Sequence, residues 1–128
     1  MKKLFIIVGL CSILTLLLVG CGATSSGTGT TKNAVPMNAA NFTQSSITIK
    51  KGERVTLVND DLAVPHIISN GTWDNGKAKP AREPGAPAIK DMQINGNSSG
   101  TIGPFTTAGT FKLYCTIHSG MNLTIIVQ

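Results

Sequence analysis

Residues 108–121 read AGTFKLYCTIHSGM. Phe111, Leu113 and Cys115 fall on one face of a two-residue period, and Lys112 and Tyr114 fall on the other. That alternation is the signature of a half-buried strand, and Ser119-Gly120 ends the stretch in a turn. A thiol, an imidazole and a thioether therefore stand at positions i, i+3 and i+6 of a short loop that leaves a strand. The chain then resumes with Leu123, Ile125 and Val127 on one side, a second alternating segment.

Working upstream, the same period recurs in Ile47-Thr48-Ile49 and in Val55-Thr56-Leu57, after a Lys51-Gly52 turn. It recurs again where Val64, His66 and Ile68 oppose Pro65 and Ile67. Further turn signals stand at Asn59-Asp60-Asp61, Asn70-Gly71, Asn95-Gly96 and Ala108-Gly109. No stretch of helical length shows a 3.6-residue period. Short strands punctuated this often predict an all-β domain, a β-sandwich or a small barrel, over residues 34–128. Residues 71–91 (GTWDNGKAKPAREPGAPAIKD) hold the only Trp and read as an irregular excursion between strands, either a solvated loop or a flap for a partner.

The 128 residues suffice for one domain of ordinary size. A hydrophobic share of 41% against 13% charged fits a folded chain rather than a disordered one. Residues 1–20 read as a signal peptide: Lys2 and Lys3, an apolar run from Leu4 to Val19, then Gly20. That run falls short of the ~20 residues of a comfortable membrane span. Leu18-Val19-Gly20-Cys21 resembles a bacterial lipoprotein processing box, which implies lipid on Cys21. The expected mature chain, 21–128, is then anchored outside the cytoplasm, on the outer face of the cell membrane or on a periplasmic leaflet. Residues 21–33 form its flexible tether, whose ten residues 22–31 have a reach of roughly 15–20 Å. Without Lys2 and Lys3 there are nine bases against six acids, a net +3. These bases are scattered without interleaved aromatics, so nucleic-acid binding has no support. There is no phosphate-binding glycine loop and no GxSxG.

Of three cysteines, Cys11 lies in the signal peptide and Cys21 is the lipid acceptor, which leaves Cys115 alone in the domain. It has no disulfide partner, and a free thiol outside the cytoplasm is open to oxidation. The only two histidines are His66 and His118. One thiolate, two imidazoles and a weak thioether, from Cys115, His66, His118 and Met121, make a soft trigonal set with an axial contact. That set suits copper and blue-copper electron transfer. The strand fixes Cys115, the loop returns His118 and Met121 to one point, and His66 closes the site while tying the two parts of the sandwich together. Zinc is disfavoured by a methionine ligand. A Cys–His nucleophile pair lacks a third orienting group and an oxyanion signature. A binuclear copper loop needs a second cysteine, where Ser119 stands. A buried structural cysteine beside a turn is the remaining alternative.

These residues resemble the cupredoxins, the small blue copper proteins that include plastocyanin and amicyanin. The match lies in Val64-Pro65-His66, in Ala108 to Cys115, and in His118 and Met121, and it covers residues 34–128. The C-x2-H-x2-M spacing is that of amicyanin. The resemblance implies a Greek-key β-sandwich of about eight strands. It also implies one copper ion held by His66, Cys115 and His118 with Met121 axial, and an electron port at His118. The port would lie in a small apolar patch with Leu62, Ala63, Pro65, Ser119 and Gly120 that meets redox partners. Two positions depart from the family. Ile67 replaces a bracing Asn, leaving its backbone N–H to reach the Cys115 sulfur. Ile117 replaces a Pro and restores an N–H, expected to give the sulfur a second hydrogen bond and raise the reduction potential.

The expected function is one-electron transfer by a monomeric module that is not itself an enzyme. Copper storage or delivery is the alternative, although such proteins favour Met- or Cys-rich exchangeable sites. Catalysis at copper would need a second centre, and both histidines are already committed.

Overall fold

A computed structural model describes residues 31–128. The expected signal peptide, Cys21 and the expected tether as far as residue 30 lie outside the described residues, among which no helix is long and apolar enough to cross a membrane. Among the described residues nine strands follow in order: β1 Ala34–Met37, β2 Ser46–Ile49, β3 Val55–Asn59, β4 His66–Asp74, β5 Lys77–Pro80, β6 Met92–Ile94, β7 Ser98–Ile102, β8 Gly109–Cys115 and β9 Asn122–Val127. They build two sheets, β1-β3-β7 and β2-β9-β8-β4-β5, with β6 also paired to β4.

Alternation decides which side chains go inward. Phe111, Leu113 and Cys115 of β8 and Leu123, Ile125 and Val127 of β9 are buried as their period predicts. They meet Val35, Val55, Leu57 and Ile102 from the three-stranded sheet in one core, and Phe105 stacks on Phe111 with ring centroids 5.7 Å apart. Each such side chain stabilises the fold by about 1.5–3 kcal/mol relative to exposure. The β8–β9 register sets Leu113 opposite Leu123 and Tyr114 opposite Asn122. A one-residue slip would turn Cys115 to the wrong face.

Residues 71–91 are not simply irregular. β4 runs on past Asn70 and turns at Asn75-Gly76 into β5, with Asp74 opposite Lys77. Both turn residues have positive φ, 50° and 72°, as a two-residue hairpin of type I′ requires. Asn70-Gly71, the expected turn, instead lies inside the strand. Gly71 has φ 133°, and a Cβ there would come within 2.4 Å of the Lys79 carbonyl and 2.9 Å of the Tyr114 ring. Only glycine lets the hairpin close over the sheet at this point. Its presence explains why Tyr114 is buried although it points away from the core: this part of the sheet is covered on both faces. β5 is itself an exposed edge, and Lys77, Lys79 and Pro80 protect it from further pairing.

A candidate metal centre at one end of the six-stranded sheet

His66 opens β4, Cys115 closes β8, and Ile68 pairs with Cys115 across the ladder. The two donors therefore come from adjacent strands of one sheet and do not bridge the sandwich. His118 stands in the loop between β8 and β9, and Met121 is buried just before β9. The loop closes on itself: Cys115 N–H donates to Met121 O at 3.0 Å, and Met121 N–H donates to His118 O at 3.2 Å. Gly120 takes φ 81° to complete the turn.

Three donor atoms converge. Cys115 Sγ lies 3.4 Å from His118 Nδ1, which lies 3.2 Å from His66 Nδ1. Donor atoms of His66, Cys115 and His118 all fall within 4.8 Å of one another. Ligands at about 2.0–2.3 Å from one ion stand roughly 3.3–3.8 Å apart, so this spacing fits a shared metal. Burial first, and then the facing His118, hold the His66 imidazole below its ordinary pKa. It is thus kept in the neutral form that binds metals. On the other side of the ring, Nε2 is buried without a hydrogen-bond partner among the described residues.

The Ile67 N–H donates to the Cys115 sulfur at 3.4 Å, as expected. The second donor expected from Ile117 is not among the hydrogen bonds to that sulfur in the described residues. Thr116 N–H instead donates to Ile67 O at 2.7 Å, and the Ile117 side chain is 49% exposed. A raised reduction potential therefore gains no support from that position.

One residue that holds the site in place went unread in the sequence. Asn59, buried at the end of β3, donates from Nδ2 to Val64 O at 2.8 Å and to Asn95 O at 3.0 Å. Its Oδ1 accepts from Asp61 N–H at 3.2 Å. Asp61 in turn accepts from the N–H groups of Ala63 and Val64, which hold its carboxyl below the usual range. Across the gap, Gly96 lies so close to the Leu62 backbone that a Cβ would fall 2.4 Å from its carbonyl oxygen. The loop that delivers His66 is therefore pinned at both ends. The available signal was Asn59-Asp60-Asp61, which reads as a turn but carries no hint of a partner at Asn95.

The profile of the family described as "Copper binding proteins, plastocyanin/azurin family" matches residues 29–128. The chain belongs to that family. Plastocyanin of Scenedesmus fuscus is 35% identical to this cupredoxin over 101 residues, 77% of this chain and 98% of its own. A reduced amicyanin variant superposes with a TM-score of 0.56 at 22% identity, over 74% of this chain and 80% of that one. Amicyanin of Paracoccus versutus gives 0.55 at 22%, over 74% and 79%. The two amicyanins show the shared sandwich fold. Family membership and the donor set together make copper the cofactor, one ion per chain, and copper-mediated electron transfer the activity.

Proposed function

We propose that this cupredoxin is a lipid-anchored one-electron carrier. His66, Cys115, His118 and Met121 would hold its copper ion. The observation that carries the proposal is the convergence of one thiol and two imidazoles within 4.8 Å at a buried position. Bound copper supplies a Cu(II)/Cu(I) couple that accepts and returns a single electron. The chain's part is to keep the donors still. Two come from hydrogen-bonded strands and the others from a loop closed at its mouth, so little rearrangement separates the two charge states. Cys115 would bind as thiolate, and the Ile67 N–H, already directed at its sulfur, would stabilise the negative charge.

His118 is the donor nearest to solvent, half-buried where His66 and Cys115 are fully enclosed. Leu62, 83% exposed, and Ile117, 49% exposed, lie on the two loops that carry the histidines. Ala63, Pro65, Ser119 and Gly120 are exposed beside them in sequence. This small apolar surface suits brief contacts with a redox protein, which occupy the low end of interface sizes. A dispersed +3 gives little long-range steering. Signal and lipid-box residues ending in Cys21 support anchoring outside the cytoplasm, with 21–33 as tether and 34–128 as a monomeric copper domain.

Voltammetry of the copper-loaded protein tests the carrier reading. A reversible one-electron wave with copper retained through repeated cycles is expected. Irreversible reduction with loss of metal would favour storage or delivery instead. Mass analysis of the membrane-extracted chain tests the anchor. An acylated residue 21, and release of the Cys21→Ser protein, are expected; a soluble product with an unmodified cysteine would contradict it.

A further inference from the structure

Trp73 lies on the β4–β5 hairpin, outside the ligand set, yet it bonds to both stems of the ligand loop. Its indole Nε1–H donates to the carbonyl oxygen of Cys115 at 2.8 Å. Its backbone N–H donates to Asn122 Oδ1 at 2.7 Å, and Asn122 Nδ2 donates back to the Trp73 carbonyl at 3.0 Å. Asn122 directly follows Met121, so the side chain of that one residue imitates a neighbouring strand for Trp73. The Tyr114 ring meets the indole edge-on, with centroids 6.0 Å apart and planes at 85°. One residue thus engages 114 and 115 on the entering stem and 122 on the leaving stem.

The sequence arrives at this arrangement by way of Gly71. β4 pairs with β8 as far as Asn70 opposite Leu113, and from Gly71 onward its partner is β5. The hairpin then lies over the outer face of Tyr114. The separation of Cys115 from Met121 is set inside the loop by the single Cys115 N–H to Met121 O bond. The contacts of Trp73 fix the same separation from outside.

We propose that Trp73 and Asn122 form a clamp that positions the Cys115–Met121 loop before copper arrives. They are positioning residues that touch no metal. The clamp deepens the copper reading and rests on it only for the spectroscopic consequence. With the stems held, the Cys115 sulfur and the Met121 thioether keep one relative placement in the metal-free and both metal-bound states. Released, the loop would adapt to the ion, and the thiolate-to-copper absorption and the reduction potential would both move.

The test is amide and indole hydrogen exchange, read by NMR on the metal-free full-length chain, followed by copper loading. In the wild-type protein the Trp73 indole N–H should be protected from exchange. Trp73→Phe keeps an aromatic ring and removes the donor, and Asn122→Ala removes both backbone bonds. Each should speed exchange of the Cys115 and Met121 amides by about five- to tenfold while leaving the amides of β2 unchanged. The double variant should show less than the product of the two effects, because both act through Trp73. After loading, both single variants should show a displaced absorption maximum and potential. Solvent-rate exchange of the wild-type indole N–H would overturn the clamp, and this reading needs no variant to fold. Wild-type exchange of Cys115 and Met121 in a folded Trp73→Phe protein would overturn it as well. A chain that shows the exchange effects yet binds no copper would refute the copper reading and leave the clamp standing.

Discussion

Replacing Asn59 removes the crosspiece that holds the approach to His66, and the cost follows from the bonds its amide makes. Nδ2 reaches Val64 O at 2.8 Å and Asn95 O at 3.0 Å, with Ile94 O more distant at 3.4 Å. Asn59→Ala leaves the first two carbonyls without that donor; it also frees the Asp61 N–H, whose 3.2 Å bond to Oδ1 lies at the long limit and is left out of the sum. At about 1 kcal/mol for each bond of good length, the loss is about 2 kcal/mol. For a domain of this size that lowers Tm by about 8–16 °C. Asn59→Asp keeps the shape but offers no donor when ionised, and it sets a carboxylate against carbonyl oxygens. An unpaired buried charge costs about 3 kcal/mol or more.

The second substitution also carries a pH signature. A protonated carboxyl can donate to Val64 O, so folding raises the pKa of the introduced group above its ordinary ~3.9. A raised folded-state pKa means stability that is present below the unfolded value and lost as pH rises through the folded one. Urea unfolding of wild type, Asn59→Ala and Asn59→Asp at about pH 4 and pH 7 separates these effects. The alanine variant should fall below wild type by the same amount at both. At the lower pH the aspartate variant should lie between wild type and the alanine variant, since its protonated carboxyl restores one bond, and at the higher pH it should fall well below the alanine variant. An aspartate variant as stable as wild type at neutral pH would refute the bonding scheme.

Three further outcomes follow from other parts of the molecule. The Glu53 carboxyl is lowered from 4.5 to about 2, first by Lys32, then by the Lys50 N–H and by Asn33. Its contribution to stability is therefore present above 4.5 and lost as pH falls toward 2; thermal melts of Glu53→Gln should lack that acid-side slope, and an unchanged slope would contradict the assignment. Gly71→Ala combines a positive φ with backbone collisions at Lys79 and should cost about 2–5 kcal/mol in urea unfolding; full stability would mean that the hairpin does not close there. Leu62→Asp should slow electron self-exchange by about tenfold with the copper absorption intact, and an unaffected rate would remove Leu62 from the contact surface.

What could be read in the sequence was local and periodic. Phe111, Leu113 and Cys115 declared a buried strand face, and the spacing of Cys115, His118 and Met121 declared soft-metal chemistry. His66 could be added because only two histidines exist. What could not be read depended on contacts between distant segments. Asn70-Gly71 and Asn75-Gly76 are the same dipeptide, yet one lies within a strand and the other makes the turn. The difference is the Lys79 carbonyl and the Tyr114 ring packed against Gly71, which no local pattern encodes. Trp73, Asn122 and Asn59 belong to the same class, since their roles lie in bonds to carbonyls and amides far along the chain. The expected Ile117 bond to sulfur failed for a related reason. It assumed a loop path in which the peptide of Ile117 faces the thiolate, whereas the inward amide there is Thr116, taken by Ile67 O.

The central claim is that Cys115 binds copper as thiolate together with His66 and His118. The most direct test is a copper(II) titration of the metal-free protein, followed by visible absorption and EPR. The account predicts an intense thiolate-to-copper band that saturates at one equivalent and disappears in Cys115→Ser. Weak ligand-field absorption alone, or an undiminished band in that variant, would contradict it.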